Sequence, residues 1–333
     1  MNEEPLYTVK VVVVVGISRH EDSRSHPRAI STPECLRSST RSLPCAFPTY
    51  RIYAHTSTAT RLASRDPNDV RESLDARALP NAPDGYSPGN VDCPTDRPRI
   101  REASDLSPNE TSWLRERRPK TVDPLLDLFK RLNVTGDGFD GASYISDHRD
   151  NTTALPNIAL AFSGGGYRAM LNGGGALQAF DSREEDTTGA GQLGGLLQAS
   201  TYIAGLSGGS WLVGSIFLNN FTTISTLLAG PSGSPWELQN SILQGPDAGK
   251  IQLFDTATYF DTIYDDVEGK NDAGFPISVT DYWGRALSFQ LINAEDGGSA
   301  YTWSSIAQGD EFSTADTPVG FPLPLSPLLL SRY

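Results

Sequence analysis

Two short apolar runs, each ending in a glycine turn and each followed by a helical pattern, set the strongest limit on what this chain can fold into. Asn157-Ile158-Ala159-Leu160-Ala161-Phe162 runs into Ser163-Gly164-Gly165-Gly166, and Tyr167 to Leu171 continues as a helix. Thr201-Tyr202-Ile203-Ala204 runs into Gly205-Leu206-Ser207-Gly208-Gly209, and Ser210 to Phe217 continues as a second helix. Apolar runs of this length suit strands buried on both faces, as in parallel sheets. Strand–turn–helix units in succession point to an α/β fold with a parallel sheet. In such folds, sites gather at the carboxyl ends of the strands, where both glycine turns fall.

The flanks read differently. Residues 1–77 are rich in Ser, Thr, Arg and Pro, with little hydrophobic periodicity. Too little apolar area is available there to offset chain entropy, so a disordered N-terminal extension is expected. Within it, Val11 to Ile17 follows Lys10 and faintly resembles a signal-peptide core, but Glu3 and Glu4 precede it and no small-residue cleavage pattern follows. Around Ala78 a loop-rich entry segment begins and runs to Pro108. Asn109 to Leu132 then reads as helical, with Leu125, Leu126, Leu128, Phe129 and Leu132 on one face. From Trp236 to Thr302 the chain stays globular, and Phe254, Tyr259, Phe260, Tyr264, Tyr282, Trp283 and Tyr301 are expected to pack a core. Val319 to Tyr333 is rich in Pro and Leu and matches neither a closing strand nor a capped helix. The expected organisation is therefore 1–77 as extension, 78–318 as domain, and 319–333 as a tail outside it.

Charge narrows the partners. Residues 1–77 hold 11 basic and 9 acidic side chains, leaving 16 basic and 31 acidic for the remainder. A body at −15 is ill suited to phosphate backbones, which argues against a nucleic-acid partner. No apolar run reaches the length of a membrane span. Cys35, Cys45 and Cys93 are too few and too scattered for a disulfide framework or a zinc site, so no metal is expected. Four N-x-S/T triplets, at Asn109, Asn133, Asn151 and Asn220, could carry glycans in a secreted chain.

Gly205 to Gly209 fits G-x-S-x-G, a turn that exposes a serine hydroxyl between strand and helix. A serine hydrolase of that kind places a histidine later in the chain. Here His20, His26, His55 and His148 all precede Ser207. The remaining bases are a carboxylate or a lysine, and Lys250 and Lys270 lie in polar stretches, so a carboxylate is favoured. Asp296, in Glu295-Asp296-Gly297-Gly298, reads first as a turn. Ser163 to Ala169 would free backbone amides at a helix N-terminus, as an oxyanion hole needs, with Arg168 suited to a phosphate or carboxylate. The same letters satisfy G-x-G-x-x-A, a dinucleotide fingerprint, with Asp186 twenty residues beyond Gly166, although in a polar stretch. Close helix–strand packing is a third reading of the glycines.

Taken together, Ser163 to Leu171 and Gly205 to Trp211 resemble the fungal phospholipase B (lysophospholipase) family, whose catalytic domain is related to group IV cytosolic phospholipases and, more distantly, to patatin. Leu106 to Leu114 and Trp283 to Ser288 extend the likeness, which runs from about Ala78 to about Pro318. The resemblance implies a three-layer α/β/α domain with a mainly parallel central sheet, incomplete in this chain. It implies Ser207 as the acyl-accepting nucleophile, Gly165 and Gly166 as the oxyanion hole, and Arg168 against the substrate phosphate. It places the acid-base aspartate in a later Asp-Gly-Gly motif beyond Tyr333, so the role does not pass to Asp296. It further implies a secreted or cell-surface enzyme acting on lysophospholipid or phospholipid aggregates and membrane surfaces, with no cofactor and no obligate protein partner.

Overall fold

A computed structural model describes residues 10–15, 82, 84–89, 92, 95, 104–229, 234–246 and 252–323. All the described residues belong to one compact unit. This unit begins with β1 (Lys10–Val15), α1 (Pro108–Lys120) and α2 (Val122–Leu132). A small antiparallel ribbon follows, β2 (Thr135–Gly136) with β3 (Phe139–Asp140), then α3 (Gly141–Asp147), β4 (Asn157–Phe162) and α4 (Gly166–Phe180). Next come α5 (Leu196–Ala199), β5 (Ser200–Leu206), α6 (Gly208–Leu218) and α7 (Ile224–Leu227). The described chain ends with α8 (Gln252–Asp272), α9 (Val279–Leu291), α10 (Asp310–Ser313) and β6 (Val319–Leu323). Among the described residues, no helix is long and apolar enough to cross a membrane.

The main sheet has the order β1-β4-β5-β6 and is parallel throughout. Both glycine-turn strands are therefore its central pair, as the sequence pattern required. On β4, Ile158, Leu160 and Phe162 are buried, alternating with half-buried neighbours. Helix α4 presses against this strand and against α6: a Cβ on Gly173 would lie 2.9 Å from Leu212 and 3.0 Å from Phe162. The core joins these to Met170, Leu177, Val213, Ile216 and Trp236.

Three expectations need correction. The disordered reading of 1–77 fails for Lys10–Val15, which pairs with β4 in register Lys10↔Asn157 to Val15↔Phe162. Composition averaged over 77 residues hid a run of five valines, the β-branched type that fits a pleated surface. The rest of 1–77 lies outside the described residues. The tail expected after Pro318 also contains a strand, because β6 pairs with β5 from Tyr202↔Val319 to Leu206↔Leu323. Its Pro322 sits on an edge strand, where a missing N–H is tolerated. The single helical stretch from Asn109 to Leu132 is two helices meeting at Thr121. Pro124 cannot donate to Lys120, and its ring opposes that carbonyl, so the helix stops and restarts.

Arg117, 2% exposed, holds the sheet's far edge in place. Its guanidinium donates to the carbonyls of Gln198, Ser200, Ala315 and Asp316 at 2.7–3.2 Å, tying the start of β5 to the chain entering β6. Burial pulls this guanidinium down to about 10, so it stays charged at neutral pH. The α8–α9 hairpin is held by side chains instead. Arg285 pairs with Asp266 at 2.7 Å, and Asp281 accepts from Lys270, from Tyr86 at 2.7 Å and from the Ser278 amide at 2.8 Å. The hydrogen bonds from Lys270 and then Tyr86 hold the Asp281 carboxyl far below the usual carboxylate range.

Candidate active site

Ser207 joins β5 to α6 with φ 54° and ψ −119°, a conformation L-residues rarely adopt. Such strain persists only where the surroundings enforce it. Here close backbone contacts do so. A Cβ on Gly208 would lie 2.1 Å from the Gly166 carbonyl oxygen, and one on Gly209 would lie 2.3 Å from that of Phe162. The Ser210 and Trp211 amides close the turn on the Ser207 carbonyl at 2.8 and 3.1 Å. The Ser210 hydroxyl bonds the Gly205 carbonyl at 2.6 Å. Among the described residues, the Ser207 hydroxyl has no hydrogen-bond partner.

The second glycine turn lies against the first. An ideal Cβ on Gly164 would sit 2.9 Å from Ser207 Cβ and 3.6 Å from its Oγ. Gly165 and Gly166 have φ 139° and 63°, values that need glycine, and they start α4. The Gly166 amide nitrogen lies 2.9 Å from the ideal Cβ position of Gly208. Two helix N-termini thus meet at one place. Neither has a side-chain cap, and neither carries an acidic residue in its first turn. The dipole ends of these two helices favour negative charge at this point.

Other residues singled out from sequence fall as follows. Arg168, in the first turn of α4, is exposed and forms no ion pair among the described residues. Asp296 is in a turn with φ 46°, exposed, and its carbonyl accepts from Arg285 at 2.6 Å. Asp186, exposed with φ 55°, lies in the loop between α4 and α5, away from any strand end, which removes the ribose-binding element of a dinucleotide site. His148 stacks on Tyr144 at 4.3 Å, with Nδ1 2.9 Å from the Tyr144 carbonyl. His20, His26, His55, Lys250 and the three cysteines lie outside the described residues. Lys270 is engaged with Asp281. Asn109, Asn133 and Asn151 are exposed and Asn220 is half-buried.

The core reading of the aromatics holds for Tyr259, buried with Ile263 and Ala286. It fails for Phe260, Tyr264 and Trp283, which are exposed. The Phe254 side chain lies outside the described residues. Two rings beside the turns escaped notice. Tyr167 and Trp211 make an edge contact at 5.4 Å, and the Tyr167 hydroxyl donates to Gln290 of α9. The available signal was an aromatic residue shortly after each glycine turn.

Comparison with known proteins bears on this geometry. The model of the lysophospholipase catalytic domain matches residues 158–327, which span both turns. The chain belongs to the lysophospholipase catalytic-domain family. It is 58% identical over 253 residues to Lysophospholipase 1 of Aspergillus fumigatus, covering 76% of this chain and 40% of that protein. It is 56% identical over 245 residues to a lysophospholipase of Penicillium chrysogenum, covering 74% and 40%. With a lysophospholipase of Torulaspora delbrueckii it shares 43% identity over 241 residues, covering 72% and 36%. The chain thus spans about 40% of the length of these Aspergillus and Penicillium relatives. No solved structure matches it.

Proposed function

We propose that this chain carries the nucleophilic half of a serine esterase that cleaves the acyl ester of lysophospholipids, releasing a fatty acid and a glycerophospho-alcohol. The observation that supports this best is the strained Ser207 at the meeting of two uncapped helix N-termini. Ser207 Oγ attacks the ester carbonyl and its proton leaves to a base. The oxyanion meets the amides of Gly165 and Gly166, where preorganised donors stabilise charge that develops in the transition state. The leaving alcohol takes the proton, and water then hydrolyses the acyl-serine. Arg168 faces the substrate phosphate, to which a guanidinium can bond bidentately. The patatin-like three-layer arrangement, secretion or cell-surface display, and action on lipid aggregates belong to the same proposal, as do glycans on the four sequons.

The resemblance assigns the base to an aspartate of a later Asp-Gly-Gly motif; residues 1–333 contain that triplet only at Asp296. Nucleophile and base must sit within hydrogen-bond reach, and Ser207 has no such partner among the described residues. Two outcomes follow. An activated 4-nitrophenyl ester should release one equivalent of nitrophenolate per chain, lost in Ser207→Ala. Turnover of lysophosphatidylcholine should stay near background. A missing burst overturns Ser207 as acyl acceptor. Sustained turnover that Ser207→Ala abolishes overturns the external base and promotes a carboxylate of this chain.

A further inference from the structure

An apolar groove runs along the α8–α9 hairpin and takes no part in the chemistry above. It encloses about 490 Å³ and is lined by Ile242, Leu243, Phe260, Tyr264, Val279 and Trp283 among others, with Asp261 its single charged residue. Leu243 is 73% exposed and Val279 83%. Ring contacts link the groove's Trp283 to the candidate site. Trp283 meets Trp211 edge-on at 5.5 Å, and Trp211 meets Tyr167 at 5.4 Å. Trp211 stands four residues after Ser207, and Tyr167 follows Gly166. A row of three rings therefore leads from the groove to both glycine turns.

Resting on the esterase reading, we propose that this groove holds the alkyl chain of the acyl group that Ser207 removes, with Trp283 and Trp211 carrying the chain toward the nucleophile. The lining offers apolar surface and little hydrogen bonding, and the volume lies within the roughly 300–1,000 Å³ usual for small-molecule sites. The charge pattern opposes an anionic bilayer as occupant. Surface-binding helices carry basic side chains, whereas α8 carries Asp261, Asp265, Asp266, Glu268 and Asp272. The ring contacts from Trp283 through Trp211 to Tyr167 then favour the substrate's own chain over a separate partner.

The test uses the full 333-residue chain and two readouts. In Ser207→Ala, binding of n-alkylphosphocholines below their micellar concentrations should tighten about two- to fourfold per added methylene. The double variant Leu243→Glu with Val279→Glu should flatten that dependence and weaken dodecylphosphocholine at least tenfold. The exposed Leu228→Glu should leave it intact. With Ser207 present, the ratio of phosphonylation rates for hexadecyl over ethyl fluorophosphonates should fall about tenfold in the double variant. Binding indifferent to the double variant overturns the proposal, as does loss of self-association with unchanged alkyl binding, which would make the groove an interface between copies. Failure of Ser207 to react with either phosphonate, while the methylene dependence persists, sinks the esterase reading and leaves the groove as an alkyl site. An unchanged rate ratio with normal labelling sinks the groove alone.

Discussion

The turns around Ser207 and the α8–α9 hairpin are built by opposite means. At the turns, backbone rests on backbone, and glycines are required because a single Cβ would collide with a carbonyl. In the hairpin, side chains do the holding: Asp281 is bound by Lys270, Tyr86 and Ser278, and Arg285 by Asp266, beside a small apolar cluster of Tyr259, Ile263 and Ala286. A backbone-limited region has no side chain to rotate away and resists pH and salt. A charge-limited region yields to both but can leave apolar side chains facing outward. The first property suits a nucleophile that must be held in one geometry. The second suits a surface that receives a flexible chain.

The largest expected effect breaks the backbone side of this contrast. Gly208→Ala forces a methyl to 2.1 Å from the Gly166 oxygen, so urea melts should show a loss of about 3 kcal/mol or more, at the upper end of overpacking costs. Gly166→Ala is the gentler probe, since its Cβ would meet nothing within 4 Å and only φ 63° opposes it. It should cost about 1–2 kcal/mol and slow phosphonylation of Ser207 without unfolding the sheet. A Gly208→Ala chain as stable as the parent would contradict the backbone account.

Acid should separate the two regions. The Asp281 carboxyl is depressed in the folded chain, so its stabilisation is complete above the ordinary carboxylate pKa of about 4. It is lost as pH falls below that value toward the folded pKa. Between pH 5 and 2, Trp283 fluorescence, taken as the difference from Trp283→Phe, should shift, and Asp281→Asn should remove the shift. Simultaneous loss of the sheet's circular dichroism would show that the hairpin does not yield independently. The smallest expected effect is none. His148→Ala should leave the rate of Ser207 labelling unchanged, because His148 is engaged with Tyr144. Slowed labelling in His148→Ala would return imidazole to the mechanism.

The centre of the fold was legible because strand, glycine turn and helix are each written locally. Asn157–Phe162 and Ser200–Leu206 form the expected strands, and Ser163 to Gly166 lies against Ser207 as the paired motifs required. The sheet's edges were not legible. Parallel partners leave no local mark of their pairing, so Lys10–Val15 was absorbed into a polar average and Val319–Leu323 into a Pro-Leu texture. The groove was misread for another reason. Phe260, Tyr264 and Trp283 have the spacing and chemistry of core residues, and only the packing shows which faces α8 and α9 leave open.

Phosphonylation mapped to a residue tests the central claim most directly. After exposure to an alkyl fluorophosphonate, peptide mass spectrometry should find a single adduct on Ser207, formed faster than on any other serine, absent from Ser207→Ala and slowed in Gly166→Ala. Donors to the oxyanion can keep much of their effect without the base, since residual catalysis of about 10³–10⁴ over water survives removal of triad members in serine hydrolases. An adduct spread over several serines, or one at Ser207 formed no faster than at exposed Ser304 or Ser313, would contradict it.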